Sequence, residues 1–303
     1  MVWLRIALAP VLLLGVLWFV DLSDVARQLR QAQPGWLVAA LASAVASNLV
    51  SAWRWRSLVR WLGHGLALGR ALRLYFQAMA LSALLPGAVV GGDVFRAVAL
   101  RRGGMETWAA GVSVLLDRLS GLWMLWVLAA ATAAWAWHGG AQAALVGWGL
   151  PAFGAALPAV AAVLLLALPA ALLWGLQRVP GRGRSAVLAQ RPDTAGEFGR
   201  QLLQSALVQL LSVGALACCG QALGLQLPYW AYAIAAAPTF LMAALPVSFG
   251  GWGTREAVAA LSLAPFGVAA APAVAVSLLY GVLGLVQALA GLGLTLVQRR
   301  TER

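Results

Sequence analysis

The chain has 303 residues, of which 62% are hydrophobic and only 10% charged, and its mean hydropathy is +0.86. A soluble globular domain of this length does not have so apolar a composition, so the chain is predicted to be an integral membrane protein. All 21 basic residues are arginine, which excludes lysine-based chemistry such as a Schiff base or a phosphate-loop lysine.

Six apolar runs approach or exceed the roughly 20 residues needed to cross a bilayer core. In chain order they are 2–20, 36–53, 108–135, 150–176, 201–222 and 272–298. A signal peptide is the alternative for the first run, but no small-residue cleavage site follows it, so it is interpreted as an uncleaved span. Tryptophans lie at the ends of several runs, as in the aromatic belt of a membrane protein.

The arginines are concentrated between the apolar runs, chiefly in residues 54–73, in residues 178–200 and in the C-terminal tail. By the positive-inside rule these segments are cytoplasmic loops. Six crossings then place both termini in the cytoplasm, as in a multi-pass protein of a bacterial-type inner membrane. The same distribution explains the net charge of +12 without nucleic acid as a partner.

Two further apolar runs, 71–85 and 229–245, are shorter than the predicted spans and end in glycine-rich sequence. Short apolar runs, typically of about 10–14 residues, favour re-entrant segments over full spans. A first run that enters and returns also leaves the arginines that follow it on the cytoplasmic side. The predicted re-entrant motifs cover residues 71–102 and 229–268 of a single transmembrane domain, 1–303.

The two motifs resemble each other in sequence, "LPGAVVGGDVFRA" from Leu85 and "LPVSFGGWGTREA" from Leu245. In the predicted topology they enter from opposite sides of the membrane, which is the arrangement of an inverted repeat. The predicted fold is therefore an all-α polytopic membrane protein with about six full spans and two re-entrant helical hairpins. The backbone positions that would form these hairpins are Pro86, Gly91, Gly92, Pro246, Gly250 and Gly251.

In each motif two charged residues follow the Gly-Gly pair, Asp93 and Arg96 in the first and Arg255 and Glu256 in the second. One interpretation is that the two arginines hold an anionic head group such as a lipid phosphate, while the acids adjust them or carry protons. The alternative is that these charges pair locally at the membrane interface.

Asp117 and Arg118 lie about nine residues into the 108–135 run, where a charge without a partner is costly. Neighbours on a helix point about 100° apart, so each requires its own partner. The candidates are Arg96 for Asp117 and Asp93 for Arg118. Two roles stay open for these pairs: a structural network that locks the first hairpin to this helix, or a place on a transport path.

Polar residues on two other predicted spans each allow two interpretations. Asn48 precedes "SAWRWRSLVRWLG", in which Arg54 and its neighbouring arginines and tryptophans either bind anionic head groups or only mark the cytoplasmic end of a span. A second set recurs at helical spacing and indicates helix packing or a polar path: Gln201, Gln204, Ser205, Gln209 and Ser212.

The sequence offers no pattern for catalysis, metal or cofactor. Cys218 and Cys219 lie in an apolar run and are interpreted as small hydrophobic residues, and His64 and His138 are too far apart in the chain to suggest a metal site. No nucleophile and base pair or phosphate-binding loop is recognisable, so the chain is predicted not to be an enzyme and to need no cofactor.

Four segments together resemble the lysylphosphatidylglycerol synthase transmembrane, or flippase-like, family. They are "SNLVSAWRWRSLVRWLG", "LLPGAVVGGDVFRAVALRRGG", "GVSVLLDRLSGL" and "LPVSFGGWGTREA". The resemblance covers nearly the whole chain and, because the chain ends at Arg303, implies the flippase region without the aminoacyl-transfer domain. The positions that resemble the family's recurring polar set are Asn48, Arg54, Asp93, Arg96, Asp117, Arg118, Arg255 and Glu256.

The prediction is a flippase-like transporter that moves a lipid with an anionic or polar head group between leaflets through a cavity between the hairpins. Transport would be passive or coupled to an ion or proton gradient, for which Asp93, Asp117 and Glu256 are the titratable groups. The alternative is a non-transporting membrane partner that docks a lipid- or glycolipid-modifying enzyme at its basic cytoplasmic face. The sequence does not predict which lipid is moved or the oligomeric state.

Overall fold

A computed structural model describes residues 22–84, 88–139, 142–147, 154–178, 191, 193–245 and 251–301. Within these ranges the secondary structure is helical, with no strand. The helices are α1 Leu22–Arg30, α2 Pro34–Trp61, α3 Leu68–Leu84, α4 Ala88–Arg102, α5 Thr107–His138, α6 Gln142–Gly147, α7 Ala156–Arg178, α8 Thr194–Ala222, α9 Tyr229–Ala244, α10 Thr254–Leu263, a 3₁₀ turn Ala264–Phe266 and α11 Ala270–Thr301.

Four of the described helices are long and apolar enough to cross a membrane: α2, α5, α8 and the segment Ala270–Gly293 of α11. The described apolar part of α7, Ala156–Leu172, is shorter, and the predicted first span, 2–20, lies outside the described residues. The all-helical membrane class is thus supported by length and composition. The number of full spans stays a prediction.

Two helices extend well beyond the apolar runs that predicted them. Helix α2 continues to Trp61 rather than ending at residue 53, and α8 begins at Thr194 rather than at residue 201. The assignment of residues 54–73 to a loop is therefore wrong at both ends, since α2 includes residues 54–61 and α3 begins at Leu68. The physical reason is that Arg54, which a hydropathy pattern reads as the end of a span, is buried in an ion pair within the helix bundle.

Both predicted hairpins consist of two short helices that pack on each other. Helices α3 and α4, of 17 and 15 residues, are joined at residues 85–87, and α9 packs in the same way on α10. Pro86, Pro246 and Gly250 lie outside the described residues. Whether the hairpins are re-entrant, and whether they form an inverted repeat, stays a prediction.

A glycine brings the backbones together in each hairpin. A Cβ atom on Gly92 would collide with the backbone carbonyl of Ala78 in α3, whereas one on Gly91 would meet open space. Gly251 has a φ of +79°, and a Cβ atom there would lie 2.9 Å from the Cα atom of Ala243 in α9. The conformation of Gly251 and the close approach at Gly92 both require a residue without a side chain.

The core is formed where α2 and α8 run side by side, with α5, α9 and α11 around them. Small hydroxyl side chains bond across the α2–α8 contact: Ser43 Oγ donates to the carbonyl of Leu211 at 2.8 Å, and Ser47 Oγ lies 2.7 Å from Ser212 Oγ. Polar residues at this spacing were predicted to mediate packing or to line a path, and Ser212 serves packing. This core holds α2 and α5 in place behind the first hairpin.

Candidate functional site

A cavity of about 300 Å³ lies between the two hairpins and α11. Its walls include Asp93 and Arg96 of α4 and Arg255 of α10, and α11 contributes Tyr280, Gly281 and Gly284. Asn48 of α2 and Arg118 of α5 complete its polar lining. Five of the eight predicted site residues therefore line one cavity, while Arg54, Asp117 and Glu256 are buried beside it.

Asp117 is the centre of the buried charges. The residue is 1% exposed, and its side chain lies between two arginines from different helices. Its Oδ1 accepts from Nη2 of Arg54 at 2.9 Å, and its Oδ2 accepts from Nη1 of Arg96 at 2.8 Å. A buried carboxylate with both oxygens bonded to guanidinium groups is well compensated for its loss of water. Asp117 thereby ties α2 and α4 to α5.

Arg54 makes further hydrogen bonds besides its ion pair with Asp117. Its Nη2 also donates to the backbone carbonyl of Asp117 at 2.9 Å, and its Nη1 donates to Ser205 Oγ of α8 at 3.1 Å. Only a planar guanidinium presents so many donors in fixed directions. Arg54 therefore connects α2, α5 and α8 and is not available to the surface.

Arg96 contacts two carboxylates and two aromatic rings. Besides Asp117, it donates from Nη2 to Asp93 Oδ1 at 2.9 Å, and its guanidinium lies 5.0 Å from the ring centroids of both Trp55 and Tyr75. Aromatic faces attract a cation, and these two rings lie within the range of that attraction. Arg96 is thus a buried charge at the cavity wall whose orientation is set by the residues around it.

Asp93 is shared between a buried and an exposed arginine. Arg118 donates from Nε to Asp93 Oδ2 at 2.9 Å, and its side chain is 48% exposed, whereas that of Asp93 is 21% exposed. The contacts form one chain from α2 to α5: Arg54, Asp117, Arg96, Asp93 and Arg118. Three arginines against two aspartates leave a formal excess of one positive charge, and the most exposed member is Arg118.

The second hairpin contains a buried ion pair between Arg255 and Glu256. Glu256 is fully buried and its Oε1 accepts from Nη2 of Arg255 at 2.6 Å. Its Oε2 accepts from the backbone N–H of Gly253 at 2.6 Å, which satisfies a free donor at the start of α10. Ser277 Oγ of α11 lies 3.1 Å from Arg255 Nε. The guanidinium of Arg255 also lies 4.9 Å from the ring centroid of Trp252.

Asn48 links the cavity wall to α11. Its Nδ2 donates to Oε1 of Gln287 at 2.8 Å and to the carbonyl of Ala44 at 3.1 Å. With these two bonds the amide nitrogen is engaged in holding α2 against α11. Asn48 therefore contributes to the shape of the cavity as well as to its polarity.

The sequence predicted some of these contacts and missed others. The pairs Arg96 with Asp117 and Asp93 with Arg118 are present as predicted. The partner of Arg54 was missed, as were the rings of Trp55, Tyr75 and Trp252. Trp55 and Trp252 stand within quoted motifs, but only the folded chain shows that they face an arginine. Among the described residues, no three His, Cys, Asp or Glu side chains are grouped so that they could hold a metal ion.

Comparison with protein families places the chain in context. The family model described as the lysylphosphatidylglycerol synthase TM region matches residues 2–291 of the chain. No curated protein matches it. The family model spans the cavity, both hairpins and all eight predicted site residues.

Proposed function

Because the chain belongs to the lysylphosphatidylglycerol synthase TM-region family, we propose that it moves a membrane lipid with a polar or anionic head group between leaflets. The proposed route is the cavity between the two hairpins. The family describes the transmembrane, flippase-like part of such synthases, and membership supports the proposed role in handling membrane lipids rather than in catalysis.

The observation that carries the proposal is that Arg96 and Arg255, one from each hairpin, line the same cavity. In a chain this apolar, charged residues within a helix bundle indicate a substrate path or a tightly paired network. The cavity of about 300 Å³ has room for a head group and not for two acyl chains. In the proposed mechanism the head group enters the cavity while the acyl chains stay in the bilayer.

The charges favour an anionic group, such as a phosphate. The cavity wall carries three arginines, Arg96, Arg118 and Arg255, and one acid, Asp93. Guanidinium groups bind phosphate oxygens through paired hydrogen bonds. Arg96 and Arg255 are already oriented by their carboxylates and by aromatic rings, so they present a fixed positive surface to the head group.

We assign to Arg118 the first contact with the head group. It is the most exposed of the three cavity arginines, and Asp93 is the only carboxylate paired with it among the described residues. An exposed ion pair is worth only about 0–1 kcal/mol, so a phosphate can replace Asp93 as its partner at small cost. The buried pairs of Asp117 and Glu256 would stay intact during this exchange.

Transbilayer lipid movement tests the proposal. The purified chain is reconstituted into proteoliposomes that contain trace fluorescent anionic or zwitterionic lipids, and the fraction reached by a membrane-impermeant quencher is followed over time. Movement faster than in empty liposomes supports a flippase. Rates equal to those of empty liposomes with every lipid tested, from protein shown to be folded, would overturn the proposal.

The docking of a lipid-modifying enzyme remains the alternative function, and it depends on arginines at the predicted cytoplasmic face. Arg54 is not available for that role because it is buried and paired with Asp117. This alternative predicts that the charges in the cavity have no effect on function.

A further inference from the structure

A second polar pocket, of about 450 Å³, lies between the end of α2 and the start of α8. We call it the α2–α8 pocket. The residues that matter for its chemistry are Arg56, Arg60, Trp61, Glu197, Arg200 and Gln204. It shares no lining residue with the cavity between the hairpins.

The helical period of α2 explains why one arginine-rich stretch serves two places. Arg54 and Trp55 face the interior, where they contact Asp117 and Arg96. Arg56 and Arg60, four residues apart, fall on another face and line the α2–α8 pocket. The stretch that the sequence presents as a single basic and aromatic motif is therefore divided between a buried network and an open pocket.

Two buried polar atoms of the pocket have no partner. Gln204 is 5% exposed, and its Oε1 makes no hydrogen bond. The indole Nε1 of Trp61 is likewise buried without an acceptor. Buried polar atoms without a partner are rare in native proteins. The residues that carry these two atoms, Trp61 and Gln204, both line the α2–α8 pocket. The Trp61 N–H is a donor, so its missing partner is an acceptor such as a phosphate oxygen.

The acids of the pocket are already engaged. Glu197 is 4% exposed, and its carboxylate accepts from Ser57 Oγ at 2.8 Å and from Arg200 Nε at 2.9 Å. Arg200 also bonds to Asp193. By contrast, Arg56 Nε donates to the backbone carbonyl of Leu66 at 2.8 Å. Neither Arg56 nor Arg60 forms an ion pair within the described part of the chain. The pocket thus holds three arginines and two acids, which leaves a formal excess of one positive charge.

We propose that the α2–α8 pocket binds the phosphate of a phospholipid head group from the leaflet that is predicted to be cytoplasmic. Arg56, Arg60 and the Trp61 N–H would bind the phosphate oxygens, and the amide of Gln204 would bond to a hydroxyl or amine farther along the head group. A lipid is favoured over a soluble phosphate because Trp53, which lies at the rim and is 46% exposed, is suited to the membrane interface. The proposal goes beyond transport, since binding here requires no movement of lipid.

The test is native mass spectrometry of the full chain in detergent, titrated with dioctanoyl phosphatidylglycerol, with uncharged dioctanoylglycerol as the comparison lipid. The pocket variant is Arg60→Gln/Trp61→Phe, which removes one charge and one N–H donor and keeps an aromatic side chain. The matched control is Arg73→Gln/Trp36→Phe, which makes the same two changes at exposed positions outside both cavities. Arg255→Gln reports separately on the cavity between the hairpins.

The pocket variant is expected to bind one phosphatidylglycerol at least about tenfold more weakly, while the control binds as the wild type does. Loss of this lipid in the pocket variant but not in Arg255→Gln would support the second site even if no lipid transport is found. Wild-type binding by the pocket variant would overturn the proposal. Competition by glycerol phosphate at the same concentrations as the lipid would overturn the lipid assignment and indicate a soluble phosphate ester.

Discussion

Asp117 and Arg118 are adjacent on α5, yet they bind opposite ends of the same short segment of α4. Asp117 is buried and accepts a hydrogen bond from Arg96 at 2.8 Å, whereas Arg118 is 48% exposed and donates to Asp93 at 2.9 Å. Since Asp93 also bonds to Arg96, the four side chains form a continuous set between α4 and α5, which Arg54 extends to α2. The first hairpin is thereby fixed to a long helix of the bundle at the wall of the cavity.

Of these side chains, the buried Asp117 is predicted to contribute more to the free energy of unfolding than the partly exposed Arg118. Asp117→Asn leaves Arg54 and Arg96 buried without their shared counter-charge, so the free energy of unfolding should fall by about 3–5 kcal/mol. The measurement is chemical denaturation of the purified chain in detergent. Arg118→Gln, at the next position, removes only a partly exposed pair and should cost less than about 1 kcal/mol. Equal losses for the two variants would contradict this division.

The guanidinium shape of Arg54, and not only its charge, is predicted to be required. Arg54→Lys keeps the charge but cannot reach the carboxylate and carbonyl of Asp117 and Ser205 Oγ together, so stability should fall by about 1–3 kcal/mol. Arg60→Lys makes the same change at an exposed position and should be close to neutral. Full stability of Arg54→Lys in the same denaturation assay would show that the hydrogen bonds of Arg54 are dispensable.

The two adjacent glycines of the first hairpin should respond in opposite ways to alanine. Gly92→Ala places a methyl group against the carbonyl of Ala78 and should destabilise the chain by about 1–3 kcal/mol. Gly91→Ala meets open space and should be neutral or stabilising by up to about 1 kcal/mol, because alanine is the better helix former. The check is the unfolding midpoint of each variant; a midpoint for Gly92→Ala at or above that of the wild type would show that α3 and α4 do not pack closely at this point.

Water is predicted to reach the cavity between the hairpins. In a background without Cys218 and Cys219, Ser82→Cys at the cavity wall should react with a negatively charged methanethiosulfonate reagent, which the arginines attract. Ser113→Cys should stay unmodified, since Ser113 is fully buried beside Trp55. The extent of labelling is read by intact-protein mass spectrometry, and similar labelling at both positions would argue against a discrete water-filled cavity.

The sequence was informative where charge and helical spacing act locally. Asp117 and Arg118 required separate partners because they are neighbours on a helix, and the nearest motif supplied Arg96 and Asp93. The end of α2 was missed because a hydropathy pattern treats Arg54 as water-facing, and its buried partner, Asp117, is 63 positions away. The contact of Trp55 with Arg96 depends on how α2 is rotated against α4, which no spacing within one helix can specify.

The glutamate of the α2–α8 pocket was missed for a related reason. Glu197 stands in an arginine-rich stretch that reads as a cytoplasmic loop, yet α8 begins at Thr194 and turns the side chain toward α2. The local sequence does hold a signal, since Glu197, Gln201 and Gln204 recur at helical spacing. That spacing continues the polar stripe that was recognised only from residue 201 onward.

The most direct test of the account compares lipid flipping by the wild type with flipping by Arg96→Gln/Arg255→Gln in proteoliposomes. The matched control is Arg73→Gln/Arg101→Gln, which removes two exposed arginines outside the cavity. If the head group passes between the hairpins, the cavity variant should lose at least about 90% of the flipping rate, because each lost charge-assisted contact costs about 1.5–3 kcal/mol. The control should retain most of the rate. A folded cavity variant that flips anionic lipid at the wild-type rate would contradict the account.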